Sequence, residues 1–238
     1  MSDPIKIISY LDNFFSKKKI NIQNQLKAIV TAGPTQEYID PVRYITNRSS
    51  GKQGFEIAKA LSKRGIITTL ITGPTSLESP KNIKVIKIKT ADQMYNETKK
   101  NLPADIVVCA AAVSDFKITN YNKKKIKKNQ KLNLNLTENI DILKYLSTNN
   151  TLRPNLVIGF AAETENIIQN AEEKIEKKHC DWIIANDVSK ENIGFNSDFN
   201  EVSIIYKNKN KKVEYLSKRS KLEIAEKITD NIIQYFTN

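Results

Sequence analysis

Asn47 to Gly54 reads NRSSGKQG, a Gly-Lys pair behind two serines, and such residues are what a phosphate-wrapping loop is made from. The phosphate-loop pattern also requires a glycine five residues before Gly51 and Ser or Thr after Lys52. Thr46 and Gln53 stand there instead, so the segment does not predict a cradle for a nucleotide's β- and γ-phosphates. It predicts a helix start, with Ser49 or Ser50 as the cap, Gly51 at a tight turn and Gly54 packed closely on a sheet. Backbone N–H groups left free at such an end attract an anion. Asn47 presents a side-chain amide just ahead of the turn.

The sequence has one histidine, His179, beside Lys178 at the end of a predicted helix, where a cation-compatible side chain meets the helix dipole. Without a second histidine, a Ser-His-Asp hydrolase or a multi-histidine metal site has no basis. Chemistry then falls to lysines, carboxylates, amides and backbone donors, the equipment of phosphate-handling enzymes. The run KKKIKK, Lys123 to Lys128, is either a solvated loop or a lid that closes its charges over phosphates. Tyr121 with Lys125, and Tyr95 with Lys99, have the Tyr-x-x-x-Lys spacing of an NAD(P)-dependent reductase. A lysine-rich chain produces that spacing by chance, and TAGPTQEY lacks the G-x-G-x-x-G that dinucleotide binding needs.

These residues need a scaffold, and 238 residues with 39% apolar content suffice for a real core. No apolar run approaches a membrane span and no signal peptide opens the chain, so the expected location is cytoplasmic. Cys109 and Cys180 lack metal-ligand spacing and read as reduced structural thiols. A net charge of +12 raises nucleic acid as a partner. The lysines are nonetheless spread along the chain, with no zinc-finger spacing or RNA-binding aromatic motif near the run, and a small polyanion fits as well.

Residues 1–25 predict an N-terminal helix and a polar linker. From residue 26, strand and helix patterns alternate. LKAIVTAG is a strand, GKQGFEIAKALSKRG a helix, IITTLITGP a strand, ADQMYNETKKNL a helix and ADIVVCAAAV a strand buried on both faces. Asp115 to Lys131 predicts a mobile lysine-rich loop, and KLNLNL an edge strand. A helix from about Ile140, the strand NLVIGFAA, the helix TENIIQNAEEKIEKK and the strand DWIIAND follow. EVSIIYKN and KKVEYLS form a C-terminal β-hairpin, and a helix closes the chain. The prediction is an α/β, Rossmann-like doubly wound fold with a mainly parallel sheet, whose ligands sit beyond the carboxyl ends of the strands.

TAGPTQEYIDPVRYITNRSSGKQG, TGPTSL, AAAVSDF, KIKK, NIDIL, GFAAET and ANDVS occur in this order, and together they resemble the phosphopantothenate–cysteine ligase domain of bacterial coenzyme A biosynthesis. The resemblance covers nearly all of residues 26–238. It implies that CTP activates 4'-phosphopantothenate to an acyl-cytidylate with release of pyrophosphate, after which L-cysteine displaces CMP. It implies Mg²⁺ with the CTP, identifies no metal ligand, and suggests a homodimer that binds neither nucleic acid nor membrane.

Carried over by motif, the backbone of Cys109, Ala110 and Ala111, with Asp115 and Phe160, forms the nucleotide pocket, flanked by Asn139, Ile140, Asp141 and Ile142. Lys125 of KIKK reaches the triphosphate from the loop, as do Lys174 and Lys178, which share a helix face. Asn47 serves the second half-reaction, orienting the acyl-cytidylate carbonyl as the amine attacks. Ser49, Ser50 and Gly51 line the acid's side. Arg43 either holds the pantothenate phosphate or pairs with Asp40, and Asp187 is left outside the catalytic set.

The family's usual proline is Ile140 here, and Ser114 replaces a more usual alanine. MSDPIKII resembles the junction at which the flavin-dependent decarboxylase half of the bifunctional protein ends. Met1 is therefore expected to be internal to a longer protein or to begin a stand-alone ligase with a short leader. FMN would belong to the missing half, leaving this chain colourless. The competing functions are the NAD(P)-dependent reductase and a basic nucleic-acid-binding module.

Overall fold

Alternating strands and helices set one sheet between two helix layers in the computed structural model, which describes residues 26–127, 133–188, 197–208, 210 and 213–237. The strands of the large sheet are β1 (Lys27–Ala32), β4 (Ile67–Thr72), β5 (Lys84–Lys87), β6 (Ile106–Cys109), β9 (Leu156–Glu163), β10 (Trp182–Asp187), β11 (Phe199–Tyr206) and β12 (Glu214–Ser220). Their order is β12-β11-β10-β9-β6-β1-β4-β5. The strands from β10 to β5 pair in parallel. β11 and β12 join antiparallel as the expected hairpin.

Two faces of apolar residues account for the layering. Phe55, Ile57 and Leu61 of α1 (Lys52–Lys63) and Ile224, Ile228 and Ile232 of α5 (Lys221–Thr237) recur at helical spacing and pack on one face. The other face is covered by α2 (Ala91–Lys100), α3 (Ile142–Thr148) and α4 (Ile167–Lys178), through Met94, Leu146, Ala171 and Ile175. Ile106, Val107 and Val108 are fully buried, as expected of a central parallel strand. His179 closes α4 in the left-handed conformation, and both cysteines are free thiols.

Several expectations are corrected. α1 is capped by Gly51, at φ +78° and with no side-chain cap, not by Ser49 or Ser50. Ser49 Oγ instead accepts from Gly51 N–H at 3.3 Å. The turn needs a positive φ, which glycine reaches without steric cost. Gly54 does pack as expected, because a Cβ there would stand 2.6 Å from Ala32 Cβ.

The Asp115–Lys131 segment is not all loop. β7 (Phe116–Ile118) forms an antiparallel ribbon with β8 (Leu136–Glu138). KLNLNL therefore joins no edge of the large sheet; its final Leu136 opens β8, and Lys131 and Leu132 lie outside the described residues. The following stretch is tied down, with Asn122 N–H donating to Ile39 O at 3.1 Å and Ile126 N–H to Asp40 Oδ2 at 3.1 Å. A second ribbon, β2 (Gln36–Tyr38) with β3 (Tyr44–Thr46), and strand β5 were not anticipated. The helix and linker expected over residues 1–25 lie outside the described residues.

Candidate functional site

In the sheet order, β1 and β6 are neighbours whose connections leave in opposite directions, and the loops after them open a crevice at the carboxyl edge. The two loops are bound together. Ala112 N–H donates to Gly33 O at 2.9 Å, Ser114 N–H to Thr35 Oγ1 at 3.0 Å, and Pro34 bridges Ala112. Two clefts adjoin there.

The first, about 450 Å³, runs from Asn47 through Ser49, Ser50 and Gly51 to Asn186, Asn200 and Lys221. The second, about 380 Å³, is bounded by Cys109, the segment Asn139–Ile142 and Lys178. Ala111, Asp115, Phe160 and Lys174 line both, so the clefts meet along a seam. Ala110 faces the first cleft. Residues expected from separate motifs are thus brought together by one sheet edge. Lys125 and Arg43 line neither cleft.

Arg43 pairs with Asp40, its Nη2 2.5 Å from Oδ2, and Nη2 also donates to Ile126 O at 2.8 Å. Of its two expected roles, the ion pair is the one present. Asp40 is fully buried. Burial opposes its ionisation, but the Arg43 guanidinium and the N–H groups of Val42, Ile126 and Arg43 outweigh it and hold the carboxyl well below the usual range. This clasp grips the residue next to Lys125.

Asn47 Nδ2 donates to Val113 O at 3.0 Å. That bond turns its carbonyl oxygen away from Val113 and makes it the acceptor available to a ligand. In the second cleft, Asn139 Nδ2 donates to Ser114 O at 2.9 Å, and its Oδ1 is buried with no partner. A buried acceptor left unpaired costs free energy that a ligand N–H donor recovers. Asp141 caps α3 by accepting from Lys144 N–H at 2.9 Å, and its other oxygen pairs with Lys178. Cys109 is pushed above the ordinary thiol range by burial, then by Cys180 and Asp141, so it borders the cleft as a neutral thiol.

Among the described residues, no group of three or more His, Cys, Asp or Glu side chains could hold a metal ion. Sequence reasoning missed Lys221, Asn200 and Asn186 as cleft residues. Asn186 is the penultimate residue of a recognised strand. Lys221 and Asn200 reach the site because the antiparallel hairpin returns the chain to the same edge, which no local pattern announces.

Residues 23–236 match the model of the DNA/pantothenate metabolism flavoprotein C-terminal domain. The coenzyme A biosynthesis bifunctional protein CoaBC of Haemophilus influenzae is 42% identical over 238 residues, 99% of this chain and 58% of that protein. The CoaBC protein of Borreliella burgdorferi is 42% identical over 227 residues, 94% of this chain and 56% of that protein. The chain thus spans a little over half the length of these relatives. A crystal structure of the C-terminal domain of a CoaBC protein superposes with a TM-score of 0.74 at 31% identity, covering 90% of this chain and 96% of that one.

Proposed function

The chain belongs to the family of the DNA/pantothenate metabolism flavoprotein C-terminal domain, and on that premise we propose that it joins 4'-phosphopantothenate to L-cysteine with CTP in coenzyme A biosynthesis. The observation that carries the proposal is the pair of clefts meeting at Ala111, Asp115, Phe160 and Lys174. One admits a nucleotide and the other an extended acid, with the reacting phosphorus at the seam.

In the first step, a carboxylate oxygen of the acid attacks the α-phosphorus. The new P–O bond forms as the bond to the β-phosphate breaks, and pyrophosphate leaves. Lys174 and the N-terminal end of α1 supply fixed positive potential for the crowded oxygens. In the second step, the cysteine amine attacks the acyl carbonyl, loses a proton and expels CMP. With its N–H donated to Val113 O, Asn47 holds its carbonyl oxygen where it accepts from the attacking amine and aims the lone pair. This differs from a role on the acyl carbonyl itself.

The orphan Asn139 Oδ1 suits a base with an exocyclic amine, as cytosine has. The absence of an acidic cluster among the described residues fits Mg²⁺ carried by the triphosphate, with Asp115 the carboxylate at hand; the ion would neutralise phosphate charge. Lys125 would reach those phosphates from its clasped loop.

Val42, Tyr44, Phe116, Tyr121 and Leu136, exposed apolar residues on or beside the two ribbons, support a homodimer. The bifunctional relatives support a flavin-dependent decarboxylase half as a further partner, with FMN confined to it. No helix among the described residues is long and apolar enough to cross a membrane, which agrees with a cytoplasmic location. Dispersed lysines favour these small anions over nucleic acid.

The test is direct. CTP and 4'-phosphopantothenate should release pyrophosphate, and CMP should appear only when cysteine is added. Absence of both products defeats the reading.

A further inference from the structure

Thr46, the last residue of β3, stands where a phosphate loop would carry a glycine. It lines neither cleft, whereas Asn47 beside it lines the first. The Thr46 hydroxyl donates to Thr35 O at 2.7 Å, with Asn47 O at 3.4 Å the weaker alternative for the same hydrogen. Thr35 is fully buried and grips the loop after β6 twice. Its N–H donates to Ala112 O at 3.4 Å and its Oγ1 accepts from Ser114 N–H at 3.0 Å. Between those two points lies Val113, whose carbonyl receives Asn47 Nδ2 at 3.0 Å.

The contacts close a ring. Asn47 is held from two sides, by its own amide and by the hydroxyl of the residue before it, and both holds lead to Thr35. Little regular structure supports it otherwise. β3 is three residues long, Thr46 and Asn47 are both exposed, and no helix or strand begins again until Lys52. The ladder of the ribbon ends at the Gln36–Thr46 pair, so the hydroxyl carries the anchorage one residue further, to Thr35. Valine suits an exposed strand position as well as threonine does. What it cannot supply is the donor.

We propose that Thr46 is a positioning residue for the cysteine-dependent step: its hydroxyl, anchored on Thr35, fixes the backbone from which Asn47 reaches Val113 and so sets the Asn47 amide for the attacking amine. The inference rests on the ligase reading and on the role given there to Asn47. Misplacing such a group by about 1 Å costs about 100-fold in rate. Loss of one neutral hydrogen bond supports a smaller effect, about tenfold.

Rapid-quench kinetics of the full chain compare wild type with Thr46→Val, Thr46→Ser and Asn47→Ala, and with Thr46→Val in the Asn47→Ala background. Thr46→Val should lower cysteine-dependent CMP release about tenfold, with pyrophosphate release within about twofold of wild type and Thr46→Ser restoring the loss. In the Asn47→Ala background, Thr46→Val should cost nothing more. Unchanged CMP release, equal loss in both half-reactions, a loss that serine does not restore or a full further loss without Asn47 overturns the proposal. The side-chain amide signal of Asn47 in a ¹⁵N,¹H spectrum, recognised by its disappearance in Asn47→Ala, needs no turnover. It should move in Thr46→Val and return in Thr46→Ser. If the wild type releases neither product, the ligase reading fails by itself, and the amide signal decides the positioning of Asn47 by Thr46: movement supports it and none overturns it.

Discussion

The two clefts lie side by side on one sheet edge and have similar volumes, about 450 and 380 Å³, yet they are charged in different ways. In the second, Lys178 is already matched to Asp141, which also caps α3. In the first, Arg48, Lys52, Lys174 and Lys221 line the walls against Asp115, with Asp198 reaching Lys52. A ligand entering the second cleft must exchange one partner for another. A ligand entering the first meets a wall lined by more cationic than acidic side chains. The pre-paired site is suited to select by shape and hydrogen bonding, and the cation-lined one by charge.

The comparison breaks most visibly at Asn47, which lines the first cleft and donates to Val113, a residue that lines both. Asn47→Asp places a carboxylate against Val113 O, and cysteine-dependent CMP release is expected to fall about 10³-fold while pyrophosphate release survives. Rapid-quench measurement of the two half-reactions reads this, and equal loss in both removes Asn47 from the second step. Next is the floor of the first cleft. Gly54→Val crowds Ala32 and should cost about 2 kcal/mol by overpacking, seen as a lower urea midpoint. No shift would mean that α1 lifts from β1 without penalty.

In the second cleft, Lys178→Met should raise the apparent KM for CTP about tenfold. Its stability coupling to Asp141, measured in a double-mutant cycle, should stay below about 1 kcal/mol, because both side chains are about one-third exposed. Lys125→Gln should weaken CTP use in the first step, and an unchanged affinity would detach the loop from the nucleotide.

The smallest effect is one of pH. The folded pKa of Asp40 is depressed, so its stabilisation is complete above the unfolded value of about 3.9 and disappears as pH falls towards the clasp's lower value. Urea midpoints should drop below about pH 4 in the wild type and less steeply in Asp40→Asn. Parallel curves would show that the clasp contributes nothing to stability.

Much of the scaffold was legible because long apolar periods survive any context. Central strands such as Ile106–Cys109 and helices such as Lys52–Lys63 carry their patterns locally. The short pieces were not. β5 is a four-residue edge strand flanked by lysines, and β8 is exposed along its whole length, so burial imprinted no alternation on either. The Gly51 cap was misread because Ser49 and Ser50 are better caps by type, whereas the close approach of Gly33 and Thr75 to Gly51 requires a residue without a Cβ. Arg43 offered two roles in sequence, and the buried Asp40 selected one.

Local patterning was enough to establish an α/β chain, the breaks after its strands and the helix start at Asn47–Gly54, and to leave lysines and amides as the candidate groups. Those properties depend on residue type and spacing along a few turns. Tertiary structure decided that Lys221 stands near Lys52, that Asn47 commits its Nδ2 to Val113 O and that Asn139 keeps an unpaired acceptor. These are consequences of strand order and loop-to-loop contact across tens of residues, and proximity of that kind leaves no periodic trace in the chain.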